Sequence, residues 1–179
     1  LLVNKPSGCT SHDVVNKVRR LYGTKKVGHT GTLDPMATGL LVVLVGKAVK
    51  ASEYLLAGEK TYLAGIKFGL TTDSQDTTGK ILTESHDLPT KEAFESVVSK
   101  FVGDIKQVPP MFSALKVGGK KLCDLAREGV TLELEARDIN IKYIKILDFH
   151  GDSAVFEVKC SHGTYIRTLC HDIGQALGC

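Results

Sequence analysis

The chain has 179 residues, 42% of them hydrophobic and 24% charged, which are ordinary proportions for a soluble globular domain with a full-sized core. Its formal net charge is only +3, and no apolar run approaches the ~20 residues that a membrane-spanning helix needs. Five cysteines without a C-x-x-C pair and six scattered histidines argue against a disulfide framework and against a metal centre. Reduced thiols in a cytoplasmic protein are the expectation. The opening residues show no signal-peptide layout. With no initiator Met and a stop at Cys179, both ends read as trimmed from something longer.

In chain order, Lys5-Pro6-Ser7-Gly8 is a turn signal. Ser11 then suits an N-cap, with Asp13 in the first turn where a negative charge favours the helix dipole. Val14, Val15, Val18, Leu21 and Tyr22 share one face, and Gly23 supplies the stop. Lys17, Arg19, Arg20, Lys25 and Lys26 concentrate positive charge just ahead of the most unusual stretch, Gly28 to Leu41 (G-H-T-G-T-L-D-P-M-A-T-G-L-L). Glycines at 28, 31 and 39 mark a tight, shaped loop, and Pro35 pushes Asp34 into an extended backbone. Leu40 to Val45 reads as a buried strand.

Lys47 to Gly58 is a short helix candidate, Thr61 to Gly69 a strand, and Thr71 to Gly79 a polar loop. Within that loop Asp76-Thr77-Thr78-Gly79 resembles an aspartic-protease D-T-G only loosely and carries no assigned role. Phe94, Val97, Val98, Phe101 and Val102 predict a helix from Thr90, its cap, to Gly103, its stop. Gln107 to Lys121 is a segment punctuated by Pro and Gly and rich in lysine, followed by helical turns from Leu122 to Glu128. Arg137 to Leu147 alternates and then changes phase at Ile144, the pattern of a β-bulge; Ala154 to Cys160 alternates cleanly. A last helix carries Ile166, Leu169, Cys170 and Ile173 on one face, with Thr164 or Ser161 as its cap. Arg167 then lies in the first turn, where the dipole disfavours a cation, so a carboxylate partner is expected. Strands and helices mix without regular βαβ alternation, which predicts a single α+β domain with a mixed, mainly antiparallel sheet flanked by helices.

The Gly28–Leu41 loop closely resembles the signature of the bacterial tRNA pseudouridine-55 synthases of the TruB type. Lys5-Pro6-Ser7-Gly8-Cys9-Thr10-Ser11 is similar to that family's K-P-x-G-x-T-S element, and Tyr62 lies where the family carries its active-site tyrosine. Pro109 to Lys116 (P-P-M-F-S-A-L-K) and Gly163-Thr164-Tyr165-Ile166-Arg167 resemble two further family elements. Asn4 stands where many relatives have Asp. Five matches in order, from Lys5 to Arg167, span nearly the whole chain.

The resemblance implies an enzyme that isomerises one uridine in the T arm of tRNA to pseudouridine, without metal or organic cofactor. Asp34 matches the catalytic aspartate and Tyr62 the tyrosine that stacks on the target base; Arg167, in the G-T-Y-I-R element, is the candidate to pair with Asp34. His29 and Tyr165 match substrate-holding residues. Lys5, Arg19, Arg20, Lys25, Lys26 and Lys116 would supply phosphate contacts, which position RNA without reading sequence. Residues 1–179 would then be the catalytic domain of a monomeric, cytoplasmic protein, without the small C-terminal RNA-binding domain of the PUA type that relatives add. Two other readings remain: a subunit whose target is chosen by a guide RNA, and a tRNA-binding chaperone without turnover.

Overall fold

The computed structural model describes all 179 residues. They form two compact units, Leu1–Gly58 and Glu59–Cys179. Every paired strand in both runs antiparallel to its neighbour.

The first unit contains β1 (Leu2–Lys5), α1 (Ser11–Tyr22), β2 (Val27–His29) and β3 (Gly39–Val45). A 3-10 turn (Gly46–Ala51) and α2 (Ser52–Leu56) follow where one short helix was expected. The sheet order is β1-β3-β2, so the apolar β3 is central and the register sets Lys5 opposite Gly39 and His29 opposite Val43. Val14, Val15 and Val18 of α1 close this core over Val27, Leu41 and Val43. Leu21 and Tyr22 do not join it. They lie in the last helical turn, past the edge of the cluster, and are 72% and 56% exposed. The cap also differs from expectation. Thr10, not Ser11, forms a capping box with Asp13, while Ser11 is already helical and its hydroxyl is used elsewhere.

The second unit runs β4 (Lys60–Lys67), β5 (Leu70–Thr72), β6 (Ile81–Glu84), α3 (Lys91–Ser99), β7 (Gly103–Gln107), β8 (Lys116–Val117), β9 (Lys120–Lys121) and α4 (Leu122–Arg127). It closes with β10 (Arg137–Phe149), β11 (Ser153–Cys160) and α5 (Ile166–Leu177). The main sheet is ordered β4-β11-β10-β7. Phe94 and Val98 of α3 and Leu169 and Ile173 of α5 pack into the cluster made by Ala64, Ile66, Ile141, Phe156 and Val158 of the sheet. Full burial of each large apolar side chain stabilises the fold by about 1.5–3 kcal/mol.

The phase change in β10 is a register shift against β11 between Ile141 and Tyr143, with a second between Ile146 and Asp148. The helix expected over Thr90–Gly103 keeps its Thr90 cap but ends at Ser99. Lys100, Phe101 and Val102 continue as tight i→i+3 turns, in which Phe101 still packs on the core but Val102 is exposed, and Gly103 opens β7. The polar loop after β4 is flanked by a small hairpin, β5 with β6, that composition did not reveal.

Candidate active site

In the first unit the geometry converges on the two peptide groups either side of Asp34. Ser11, 2% exposed, accepts a hydrogen bond from the Leu33 N–H (2.9 Å) and donates one to the Leu33 carbonyl (3.2 Å). The Pro35 carbonyl accepts from the Gly8 N–H (2.8 Å) and from Lys5 Nζ (3.2 Å). The Asp34 carbonyl accepts from Ala37 N–H (3.0 Å), closing a turn. The loop therefore enters and leaves its aspartate on pinned backbone. Gly31 and Gly39 bracket it at φ of 152° and 120°, a region that side chains rarely adopt. Asp34 itself is half-buried.

Lys5 differs from the expected phosphate contact. It is wholly buried, and Nζ donates to the carbonyls of Pro6 (2.8 Å), Cys9 (2.8 Å) and Pro35 (3.2 Å). All three of its N–H groups are used inside the fold, so none remains for RNA. The K-P-S-G-C-T-S element thus acts as a brace for the aspartate loop. His29 ends β2, half-buried. Burial pushes its imidazole below the ordinary value, the Gly31 backbone pulls the other way, and its Nδ1 is buried without a hydrogen-bond partner. Arg20, Lys25 and Lys26 are exposed. Arg19 is partly committed to Asn16 Oδ1 (3.1 Å) and the Val27 carbonyl (3.3 Å).

In the second unit, Tyr62 lies in β4 opposite Val158, half-buried and packed against the core. Lys116 is exposed on the small β8–β9 hairpin. Neither Thr164 nor Ser161 caps α5. The N-cap is Tyr165, with no side-chain cap, and the Thr164 hydroxyl donates to the Ser161 carbonyl (3.0 Å).

Arg167 occupies the first turn of α5, as its sequence position implies, and its side chain is 12% exposed. Its guanidinium donates to the Ser74 carbonyl (2.7 Å) and the Phe112 carbonyl (2.9 Å), and Nε lies 3.8 Å from Asp76 Oδ2. Asp76 is the residue that sequence reasoning passed over. Its Oδ1 accepts from Ser74 Oγ (2.7 Å), Thr78 Oγ1 (2.6 Å) and the Thr78 N–H (2.9 Å). Burial alone would raise this carboxyl, but the bonds from Thr78 and Ser74 and the Arg167 charge together hold it below the ordinary carboxylate value. Gln75, between them, is the one non-glycine residue at positive φ (59°), and its Oε1 accepts from the Thr168 hydroxyl (2.7 Å). The Thr72–Gly79 loop is thereby fastened to the start of α5. The available signal was local: a run of Asp, Ser and Thr dense enough to satisfy its own carboxylate.

In the first unit a pinned carboxyl-bearing loop, and in the second an arginine held among carbonyls and a carboxylate, each suit polar chemistry rather than a packing core. Comparison with known proteins gives the chain a class. Residues 19–166 match the family described as TruB family pseudouridylate synthase (N terminal domain). The chain belongs to that family. The matched stretch includes His29, Asp34, Tyr62 and Tyr165 and stops one residue before Arg167.

Among curated proteins, the chain is 50% identical to tRNA pseudouridine synthase B of Francisella philomiragia, with all of this chain and 60% of that protein aligned. It is 51% identical to the protein of the same name from Dechloromonas aromatica, again over all of this chain and 60% of the relative. The Fusobacterium nucleatum protein is 49% identical over 99% of this chain and 62% of its own length. The chain therefore spans about three fifths of the curated relatives it matches.

Among solved structures, a chain of a Cbf5-Nop10-Gar1 complex superposes with a TM-score of 0.72 at 32% identity, covering 99% of this chain and 44% of that one. A chain of an H/ACA RNP bound to a substrate RNA containing 2'-deoxyuridine gives 0.70 at 30% identity, covering 99% and 43%. The α+β core with antiparallel sheets is that of pseudouridine synthases. No helix is long and apolar enough to cross a membrane.

Proposed function

We propose that this chain carries the catalytic machinery of a tRNA pseudouridine synthase that isomerises uridine 55 in the T arm, with Asp34 as the catalytic carboxyl group. The observation that carries the reading is the bracing of Leu33 and Pro35, which fixes the aspartate between them. The names of the relatives that are about half identical over the whole chain support it.

The reaction breaks the N1–C1′ bond, turns the base and joins C5 to C1′. The substrate supplies both reacting ends, so one carboxyl acting as nucleophile or base is sufficient, and no cofactor is required. The target base is extruded from the folded arm at a cost of a few kcal/mol. Tyr62 stacks on it, a contact worth ~1–3 kcal/mol. His29 and Tyr165 hold the flipped nucleotide, and Arg167 is the candidate partner of the catalytic carboxyl group. Arg20, Lys25, Lys26 and Lys116, with the accessible edge of Arg19, contact phosphates. The protein works as a monomer in the cytoplasm.

Tritium release from C5-labelled uridine in an unmodified tRNA transcript tests this directly. The purified protein with no other component is expected to release it, and Asp34→Asn is expected to release none while still binding the transcript. Unaltered activity in Asp34→Asn would remove the aspartate from its role. A second reading, in which a guide RNA selects the target, draws on the RNP complexes among the solved neighbours. Release from tRNA alone decides against it.

A further inference from the structure

In the second unit, a buried glutamine holds the residue that begins α5, a helix with no side-chain cap. Gln107 ends β7, an edge strand of the main sheet, and is only 2% exposed. Its Oε1 accepts from the Tyr165 N–H (2.8 Å) and its Nε2 donates to the Tyr165 carbonyl (3.1 Å). One side-chain amide thus pairs with both backbone groups of a single residue, as a neighbouring strand does in the closely bonded pairs of an antiparallel ladder. The Tyr165 carbonyl also accepts the first helical bond, from Leu169 N–H (3.0 Å). The amide therefore fixes the backbone, at φ −97° and ψ 109°, where the chain turns from extended into helix.

That turn sets the direction of the Tyr165 ring and, two residues on, the point from which the Arg167 side chain leaves the first turn, where the helix dipole disfavours a cation. We propose that Gln107 is a positioning residue for the uridine isomerisation, acting through the Tyr165 backbone on Tyr165 and Arg167. The inference rests on the roles given to those two residues under the proposed function. Only a group that donates and accepts at once can fill the position. Leucine does neither. An ionised glutamate accepts from the N–H but sets a negative charge against the carbonyl, whereas its protonated form restores the donor.

Gln107→Leu and Gln107→Glu in the full-length protein test this by single-turnover tritium release from the C5-labelled tRNA transcript. Affinity for the transcript and folded fraction by circular dichroism are measured alongside. The Leu variant is expected to bind normally and turn over about a hundredfold more slowly, the scale of a misplacement of roughly 1 Å. The Glu variant is expected to show its deficit at about pH 8 and to recover relative to wild type toward about pH 6, the range in which burial brings a carboxyl to titrate.

Wild-type rates per folded molecule in either variant, or a Glu deficit that does not change with pH, would overturn the proposal. So would failure of both variants to fold, since Gln107 would then serve stability. Wild-type protein that releases no tritium would instead overturn the underlying reaction, and that control is read first.

Discussion

The side chains that brace Asp34 matter as much as the aspartate. Ser11 places a single hydroxyl between the N–H and the carbonyl of Leu33, and Lys5 spends every donor on carbonyls of the same brace. Ser11→Ala leaves both Leu33 groups unpaired in a buried setting, a loss of about 1–3 kcal/mol. Urea unfolding should register that loss, and the surviving folded protein should turn over more slowly at near-normal RNA affinity. Lys5→Met removes a hydrogen bond from each of three carbonyls, of which Pro35 keeps its Gly8 N–H, and should cost more stability than Lys116→Met, whose side chain is exposed on a hairpin. Equal unfolding midpoints for the two methionine variants would refute the brace. Sequence made Lys5 look like an RNA contact because lysines are usually solvated. Its burial follows from how the Pro6–Cys9 turn folds back over the side chain, and no residue type encodes that alone.

At the scale of elements, α5 and the Thr72–Gly79 loop act together. Arg167 and Thr168 in the first turn of the helix reach Ser74, Asp76 and Gln75, and each grip is across about ninety residues of sequence (|i−j| = 93 for the Ser74 and Gln75 bonds). The Asp76 carboxyl is held below its ordinary value in the folded chain. Its contribution is therefore present in full above the ordinary carboxylate range and is lost as pH falls through the depressed folded-state value. Denaturant midpoints measured against pH should fall on that acid limb in the wild type and fall less steeply in Asp76→Asn. Parallel curves would show that the loop does not depend on this charge. An arginine placed against the helix dipole in the first turn calls for a carboxylate nearby, and Asp76 is one. Sequence assigned Asp76 no role because its D-T-T-G is only a loose match to a protease motif, and nothing local points to an arginine about ninety residues on.

For the molecule as a whole, charge is distributed unevenly along the chain. Residues 1–58 carry eight Lys and Arg against three Asp and Glu, although the net charge of the whole chain is only +3. Of these, Lys25 and Lys26 are exposed and follow α1 directly, whereas Lys5 is buried. If the exposed pair contacts phosphate, Lys25→Gln and Lys26→Gln should each weaken tRNA binding and reduce the slope of log affinity against log salt by about 1. The rate of the bound complex should not change. A salt slope identical to wild type would remove them from the RNA-facing surface. A comparable charge change at Lys116 belongs to a different unit and serves as an independent probe.

Sequence by itself determined the antiparallel α+β composition, the bulge in β10, the Thr90 cap and the glycine-framed loop around Asp34. Each of these rests on local chemistry: side-chain alternation, a hydroxyl at a helix start, glycine where φ is positive and proline beyond an extended residue. Family membership was legible for the same reason, since its motifs are contiguous. Only the tertiary structure decided what holds those motifs in place. Lys5 against Pro35, Ser11 against Leu33 and Gln107 against Tyr165 are hydrogen bonds, and Arg167 beside Asp76 an ion pair, chosen between distant segments. Lysine, serine, glutamine and arginine can each satisfy their polar groups in water equally well. Burial removes the water, and the fold then dictates which partner remains.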